Sequence, residues 1–462
     1  MKLLIKNGIV LTEEYEINAD VLVENETIKT IGNNLTEEVD VIYDATNKYV
    51  FAGGVDEHTH FGSFNSMSFE TSLAAAIGGT TTIVDFVPQN KNETLIEAIN
   101  RHKEIAMQNS YVDFAFHSML MSVNDKSLAD IKNLPKYGVV SLKMFMAYKG
   151  TPYYARDEDI IKAMKIAKEY GITFMLHAED SDIIDLKTKE LLDKNLITPY
   201  YHAIARPNIS EVEAVKRAIE FANKVNIPLF FVHISTSEAL DLIQTAKQNG
   251  SPIFCETCTH YLTLTKKDLK KKNLEGAKFI CSPPLRNQKD INQLWNGINN
   301  GLIEAVSSDH CAVKGGFKEK INNYSDFSKV PNGIPGVQNR LEILWNEGVC
   351  KGRITRTDFV RIFSSRPAEI CGLDNKGKLL PGFDADIVIF NPNLSHTISD
   401  QDSFEGIDYS AFNGFKVSGS IEKVILRGKL IVDNGKYVGN KNGQFIFETP
   451  NAYCYQKKNM NL

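Results

Sequence analysis

What the chain lacks narrows its role first. No stretch approaches the roughly twenty consecutive apolar residues that a bilayer demands, so no membrane-embedded part is expected. The opening MKLLIKNGIVLTEE starts like a secretory leader. Lys6, Asn7, Glu13 and Glu14 then leave no unbroken apolar core of the needed length. Neither charge is in excess: 52 lysines and arginines face 57 aspartates and glutamates, and the balance of −5 gives no general pull toward nucleic acid or an anionic membrane. A disulfide framework is missing too, since seven cysteines form an odd set without regular spacing, which points to reduced thiols in the cytoplasm. Cys255 and Cys258 in FCETCTHYL have the spacing of a redox motif, but they close an apolar strand-like run and do not open a helix. A small-molecule substrate fits these absences best.

What is present is a chain of 462 residues, 43% hydrophobic, longer than one average domain and able to bury a large core. Its first part reads as short β-rich runs, LLIKNGIVL and DVLVENETIKTIG, broken at Asn7-Gly8 and Glu24-Asn25. Much the same grammar returns in ADIVIFNP and KVILRGKLIVDNGKYVG. One small β-sandwich domain is therefore expected from residues 1–52 and 378–450 together, with a barrel over 53–377 between them. The tail 451–462 could be disordered or could pack on a neighbouring subunit.

Between the β-rich ends, eight apolar runs alternate with amphipathic stretches: VDEHTHF, TTTIVDF, DFAFHSM, SLKMFM, TFMLHA, LFFVHIS, PIFCETC and AVSSDH. DEDIIKAMKIAKEYG and EVEAVKRAIEFANKVN have helical periodicity, the first closing on Gly171 as a helix-ending glycine would. Such alternation predicts an α/β fold, a (β/α)8 barrel whose chemistry sits at the carboxyl ends of the strands. Late in those strands lie His58 and His60, Lys143, His177, His233 and Asp309. His58 and His60, two apart, share a strand face. Four imidazoles and a carboxylate suit zinc or a similar divalent ion, and suffice for two ions with coordination left open for water. Lys143 cannot ligate a cation as an ammonium. It is either a buried lysine with a displaced pKa or an amine that has captured CO2 as a metal-bridging carbamate.

The ordered series DEHTHF, GGTTTIVDF, SLKMFMAYKG, LHAED, FVHIS, ETCTHYL, CSPPLRN, SSDHC and PNGIPGVQNR resembles the cyclic amidohydrolases, in their dihydropyrimidinase and D-hydantoinase branch. KGKLLPGFDADIVIFNP extends the likeness into the terminal β domain. The resemblance implies that His58, His60 and Asp309 ligate one metal, that His177 and His233 ligate a second, and that carboxylated Lys143 bridges the pair. It further implies Asp309 as general base, Tyr148 as the phenol that stabilises an oxyanion, and Ser282 and Asn332 as partners of the cyclic amide edge. The activity implied is opening of 5-substituted hydantoins or dihydropyrimidines to N-carbamoyl amino acids by a zinc-dependent homotetramer. Two other readings are allantoin hydrolysis, whose enzymes ETCTHYL and GQFIFE resemble but KMFMAY and PNGIPGVQ, nearer the substrate, outweigh, and a non-catalytic assembly protein on the same fold.

The remaining polar residues have blander readings. His117 is structural or supports a ligand. His260, His310 and Cys311 pack beside motif residues, and Asp85 either orients a ligand histidine or caps the segment after its own strand. After His60, FGSFNSMSFETSLAAA reaches the next helix sooner than the family's longer loop, and Phe64, Met67 and Phe69 could line an apolar pocket there.

Overall fold

A computed structural model describes residues 1–460 of the chain. Five strands open it: β1 (Lys2–Leu11), β2 (Glu16–Glu24), β3 (Thr27–Gly32), β4 (Val41–Asp44) and β5 (Tyr49–Ala52). Eight more succeed them: β6 (Gly54–Thr59), β7 (Thr80–Pro88), β8 (Asp113–Met119), β9 (Ser141–Phe145), β10 (Thr173–His177), β11 (Leu229–Phe231), β12 (Ile253–Cys258) and β13 (Ala305–Ser307). They are the eight runs read from the sequence, and they neighbour one another in chain order as a parallel sheet. The sheet nearly closes into a barrel: Thr59 pairs in parallel with His310, just past β13, and the His60 amide donates to the His310 carbonyl at 2.9 Å. Four further strands, β14 (Ile387–Thr397), β15 (Lys416–Leu426), β16 (Lys429–Asp433) and β17 (Lys436–Tyr437), complete a separate nine-stranded mixed sheet with β1–β5. No helix among the described residues is long and apolar enough to cross a membrane.

Strand alternation decides which side chains enter the barrel. In β9, Leu142 and Met144 pack outward in the helical layer, while Phe145 points inward with Met175 and Phe230, and Lys143 shares its parity. The surrounding helices have the 3.6-residue period. Asp157–Glu169 buries Ile160, Ala163, Met164 and Ala167, carries three acids in its first turn, and is succeeded by Gly171 at φ +65°. In β5, Val50 and Ala52 enter the core of the mixed sheet, whereas Phe51 faces the barrel and meets Phe359 at 5.5 Å.

The C-terminal segment packs on its own barrel. The Ile446 amide bonds the Phe114 carbonyl at 2.8 Å, the Asn451 amide the Gly171 carbonyl at 3.0 Å, and the Tyr455 hydroxyl the Ile172 carbonyl at 3.0 Å. Buried Cys454 joins Ala115, Met175 and Phe254 inside the barrel. Residues 461 and 462, the end of the tail, lie outside the described residues.

Beside this floor, Lys376 joins the two parts of the molecule. Its Nζ lies 2.5 Å from Asp113 at the start of β8, and 2.8 Å and 3.0 Å from Asp384 and Asp386, which lead into β14. Arg427 pairs with the same Asp113, and all but Asp384 are buried. Removing one partner of such a cluster strands the others as uncompensated charge. Lys376→Ala is therefore expected to lower unfolding stability by about 3–5 kcal/mol, read from the denaturant midpoint.

Candidate active site

The predicted site residues converge at the carboxyl ends of the barrel strands. His58 and His60 each place Nε2 3.2 Å from Asp309 Oδ1. Lys143 Nζ is 3.1 Å from His58 Nε2, and His177 Nδ1 is 3.0 Å from His233 Nε2. The His58 and His233 rings lie 5.3 Å apart, so the two groups are contiguous. Four non-glycine residues of this mouth adopt positive φ: His233 at 44°, Asp309 at 45°, Phe64 at 50° and Tyr148 at 69°. Conformations of this kind are costly and persist where surrounding structure imposes them.

The electrostatics keep these groups in forms that can receive a cation. Burial lowers the pKa of His58, His60, His177 and His233, leaving neutral imidazoles with a lone pair to donate. Burial pushes the Asp309 carboxyl up, but His58, His60 and Lys143 outweigh it and hold the group well below the usual carboxylate range. Ligand atoms of His58, His60 and Asp309 all lie within 4.8 Å of one another, close enough for one ion after small side-chain adjustments. Lys143 is 1% exposed, has the Phe86 ring 3.9 Å from its Nζ, and is drawn down by burial to about 8. Tyr148 is pushed up by burial to about 12, so its phenol keeps its proton at neutral pH.

Ser282 adjoins the Tyr148 hydroxyl. The Gly333 amide, next to Asn332, donates to the Ile280 carbonyl at 3.0 Å and brings those two loops side by side. Ser282 Oγ and Asn332 Oδ1 are buried without a hydrogen-bond partner among the described residues. Phe64 stands at the mouth, 4.9 Å from the His60 ring and 5.3 Å from Tyr153. Phe69 does not line a pocket: it is fully buried between Phe61 and Phe114, because the short connection turns it under the barrel wall.

The other polar residues brace the frame. His117 bonds Ser141 Oγ at 2.5 Å and the Glu57 carbonyl at 2.9 Å. Asp85 accepts from the Thr59 hydroxyl and the Phe61 amide at 2.7 Å each and from His102 at 2.8 Å, so it holds the residues on both sides of His60. His310 Nδ1 accepts from the Gly336 amide at 3.2 Å. Cys255 and Cys258 point to opposite faces of β12, toward Leu302 and Ser307, which removes the redox reading.

Three residues that sequence reading passed over complete the site. Glu256 Oε1 accepts from His58 Nδ1 at 2.5 Å and from the His233 amide at 3.2 Å, joining strands on opposite sides of the mouth. A lone acid within the apolar run IFCETC is the same signal that marked Lys143. Glu179 accepts from His177 Nε2 at 2.9 Å and pairs with Arg206, whose guanidinium lies 5.2 Å from the Tyr148 ring centroid. Each carboxylate fixes the tautomer of its histidine, leaving the other ring nitrogen for a metal.

Comparison with known proteins places this geometry. A model described as the amidohydrolase family matches residues 49–431. The chain belongs to the amidohydrolase family. The D-hydantoinase of Ralstonia pickettii is 40% identical over 455 residues, covering 96% of this chain and 98% of that protein. The D-hydantoinase of Geobacillus stearothermophilus is 40% identical over 456 residues, covering 96% of each. The crystal structure of dihydropyrimidinase from Brevibacillus agri NCHU1002 superposes with a TM-score of 0.95 at 38% identity, over 98% of this chain and 100% of that one.

In this amidohydrolase the Glu179–Arg206 pair can be tested through acid unfolding. Burial pushes the Glu179 carboxyl up, but Arg206 and the His177 hydrogen bond bring it down to about 2. Its contribution to stability is whole above the unfolded carboxyl value of 4.5 and is lost as pH falls toward about 2. Arg206→Leu removes the main depressing charge and should move the midpoint of acid unfolding upward, besides costing about 3–5 kcal/mol at neutral pH.

Proposed function

We infer that this amidohydrolase opens the ring of 5-substituted hydantoins or 5,6-dihydropyrimidines, yielding N-carbamoyl amino acids. The observation that carries the reading is the gathering of His58, His60, Lys143, His177, His233 and Asp309 at one barrel mouth, in a chain that matches D-hydantoinases over nearly its whole length. None of these relatives is named for allantoin or for an assembly role, so the other two readings gain nothing from them.

The donor set fits two divalent ions, zinc being our assignment on its nitrogen and oxygen ligands. His58, His60 and Asp309 would hold one and His177 and His233 the other, with Lys143 between them as a carbamate. An amine drawn down to about 8, with no ion pair of its own among the described residues, is a fit nucleophile for CO2. Such a metal pair, when bound, brings the pKa of water to near neutrality and polarises a carbonyl.

The chain's own residues do the rest. Ser282 and Asn332 bind the amide or imide edge and hold the ring carbonyl toward the mouth. Asp309, ionised, takes the proton of the attacking water and passes it to the ring nitrogen as the C–N bond breaks. The Tyr148 phenol donates a hydrogen bond to the carbonyl oxygen as that oxygen gains charge. We place the enzyme in the cytoplasm, on the strength of seven free cysteines, and as a homotetramer.

Initial rates on dihydrouracil, phenylhydantoin and allantoin, each with and without prior chelation, test the reading. Chelator-sensitive turnover of one of the first two is expected, whereas turnover of allantoin alone would replace it. Lys143→Ala should lose metal and turnover together, and normal metal content with a normal rate would sink the carbamate assignment.

A further inference from the structure

The loop that carries Ser282 has its carbonyls taken, one after another, by buried side chains from three separate elements. Lys320, in the helix Gly316–Asn322, donates from Nζ to the Ala277 and Ile280 carbonyls, each at 3.2 Å. His202, from the helix Tyr200–Ala205, reaches the Cys281 carbonyl through Nε2 at 2.8 Å. The Tyr261 hydroxyl reaches the Pro283 carbonyl at 2.6 Å. The Ile280 carbonyl thus serves two donors, Lys320 and the Gly333 amide, and becomes the joint between the Ser282 and Asn332 loops. On either side of that joint, Ser282 Oγ and Asn332 Oδ1 have no hydrogen-bond partner among the described residues.

Lys320 is an unexpected residue for this place. It is 1% exposed and, among the described residues, forms no ion pair. Burial draws its amine down to about 8, and only the Cys311 and Cys281 thiols oppose that shift. A buried charge is normally matched by a carboxylate. Here the partners are two backbone carbonyls that also accept from the Ile280 and Gly333 amides, and an apolar side chain of the same length would remove the side-chain donor that ties both carbonyls to the helix Gly316–Asn322. Volume alone therefore does not explain an amine at this position, and the contacts it makes are with substrate-facing loops and not with the histidines.

We propose that Lys320 is a positioning residue for substrate recognition, setting the spacing between Ser282 and Asn332 by pinning the Ala277 and Ile280 carbonyls. The proposal rests on the ring-opening reading above. Loss of the pin lets the Ser282 loop shift against the Asn332 loop, which weakens ring binding in the ground state and the transition state alike. The histidines and Asp309, anchored on other elements, keep their places.

Kinetics of metal-loaded enzyme on phenylhydantoin or dihydrouracil, whichever the parent opens, decide the matter. Lys320→Met is expected to raise KM about tenfold while kcat and bound metal stay within about twofold of the parent, the pattern of lost uniform binding. If that variant does not fold, His202→Leu frees the Cys281 carbonyl of the same loop from another element and should move KM in the same direction. A parental KM in the folded variant overturns the role of Lys320, as does loss of metal with a collapse of kcat, and either leaves the ring-opening reading standing. No turnover by the parent on either ring overturns that reading and the positioning role with it.

Discussion

Burying the Lys143 amine against Phe86 and Phe145 raises the free energy of its charged form, and among the described residues no carboxylate lies close enough to pair with it. Much of the barrel mouth is arranged around that cost. Strand alternation leaves Lys143 no outward alternative, because Leu142 and Met144 already occupy the helical side of β9. Around it stand neutral imidazoles, two of them turned by a carboxylate behind the ring: Glu256 for His58 and Glu179 for His177. These carboxylates are in turn held by Arg206 or by the His233 amide. Charge is balanced in layers here, with donors of electron pairs at the centre and counter-charges one contact further out.

The strands were legible because a sheet covered on both faces must be apolar nearly throughout, and polar residues late in such runs stand out. Lys143, His177 and Asp309 were visible for that reason. Glu256 carried the same mark and was passed over, since a single acid in a strand has no spacing partner to call attention to it. Arg206 and Lys320 were not legible at all. Their importance lies in contacts to segments far away in the chain, such as Glu179 and Ile280, and a helix with one buried polar position has the same periodicity as one with none. Phe69 was misplaced for a related reason: composition gave its hydrophobicity but not which side of a tight connection it would take.

The molecule buries its lysines in two ways. Lys376 sits among Asp113, Asp384 and Asp386 with opposite charges in direct contact, and it stays an ammonium. Lys143 and Lys320 are denied such partners and are drawn toward the neutral amine. Among the described residues, three buried lysines thus differ by what surrounds each Nζ: one is clamped among carboxylates, one stands among neutral imidazoles beside Phe86, and one is bonded only to backbone carbonyls.

The floor of the barrel is supplied by residues 443–456, which come after all eight barrel strands and the whole of β14–β17. During synthesis from the amino end, the strands therefore emerge from the ribosome before the segment that seals their lower openings. β5 pairs with β1 early but likewise waits for β14 on its other edge. Contacts so distant in sequence close late and slowly. Until that segment arrives, Phe254 and Met175 lack the cover that Cys454 gives them in the folded chain.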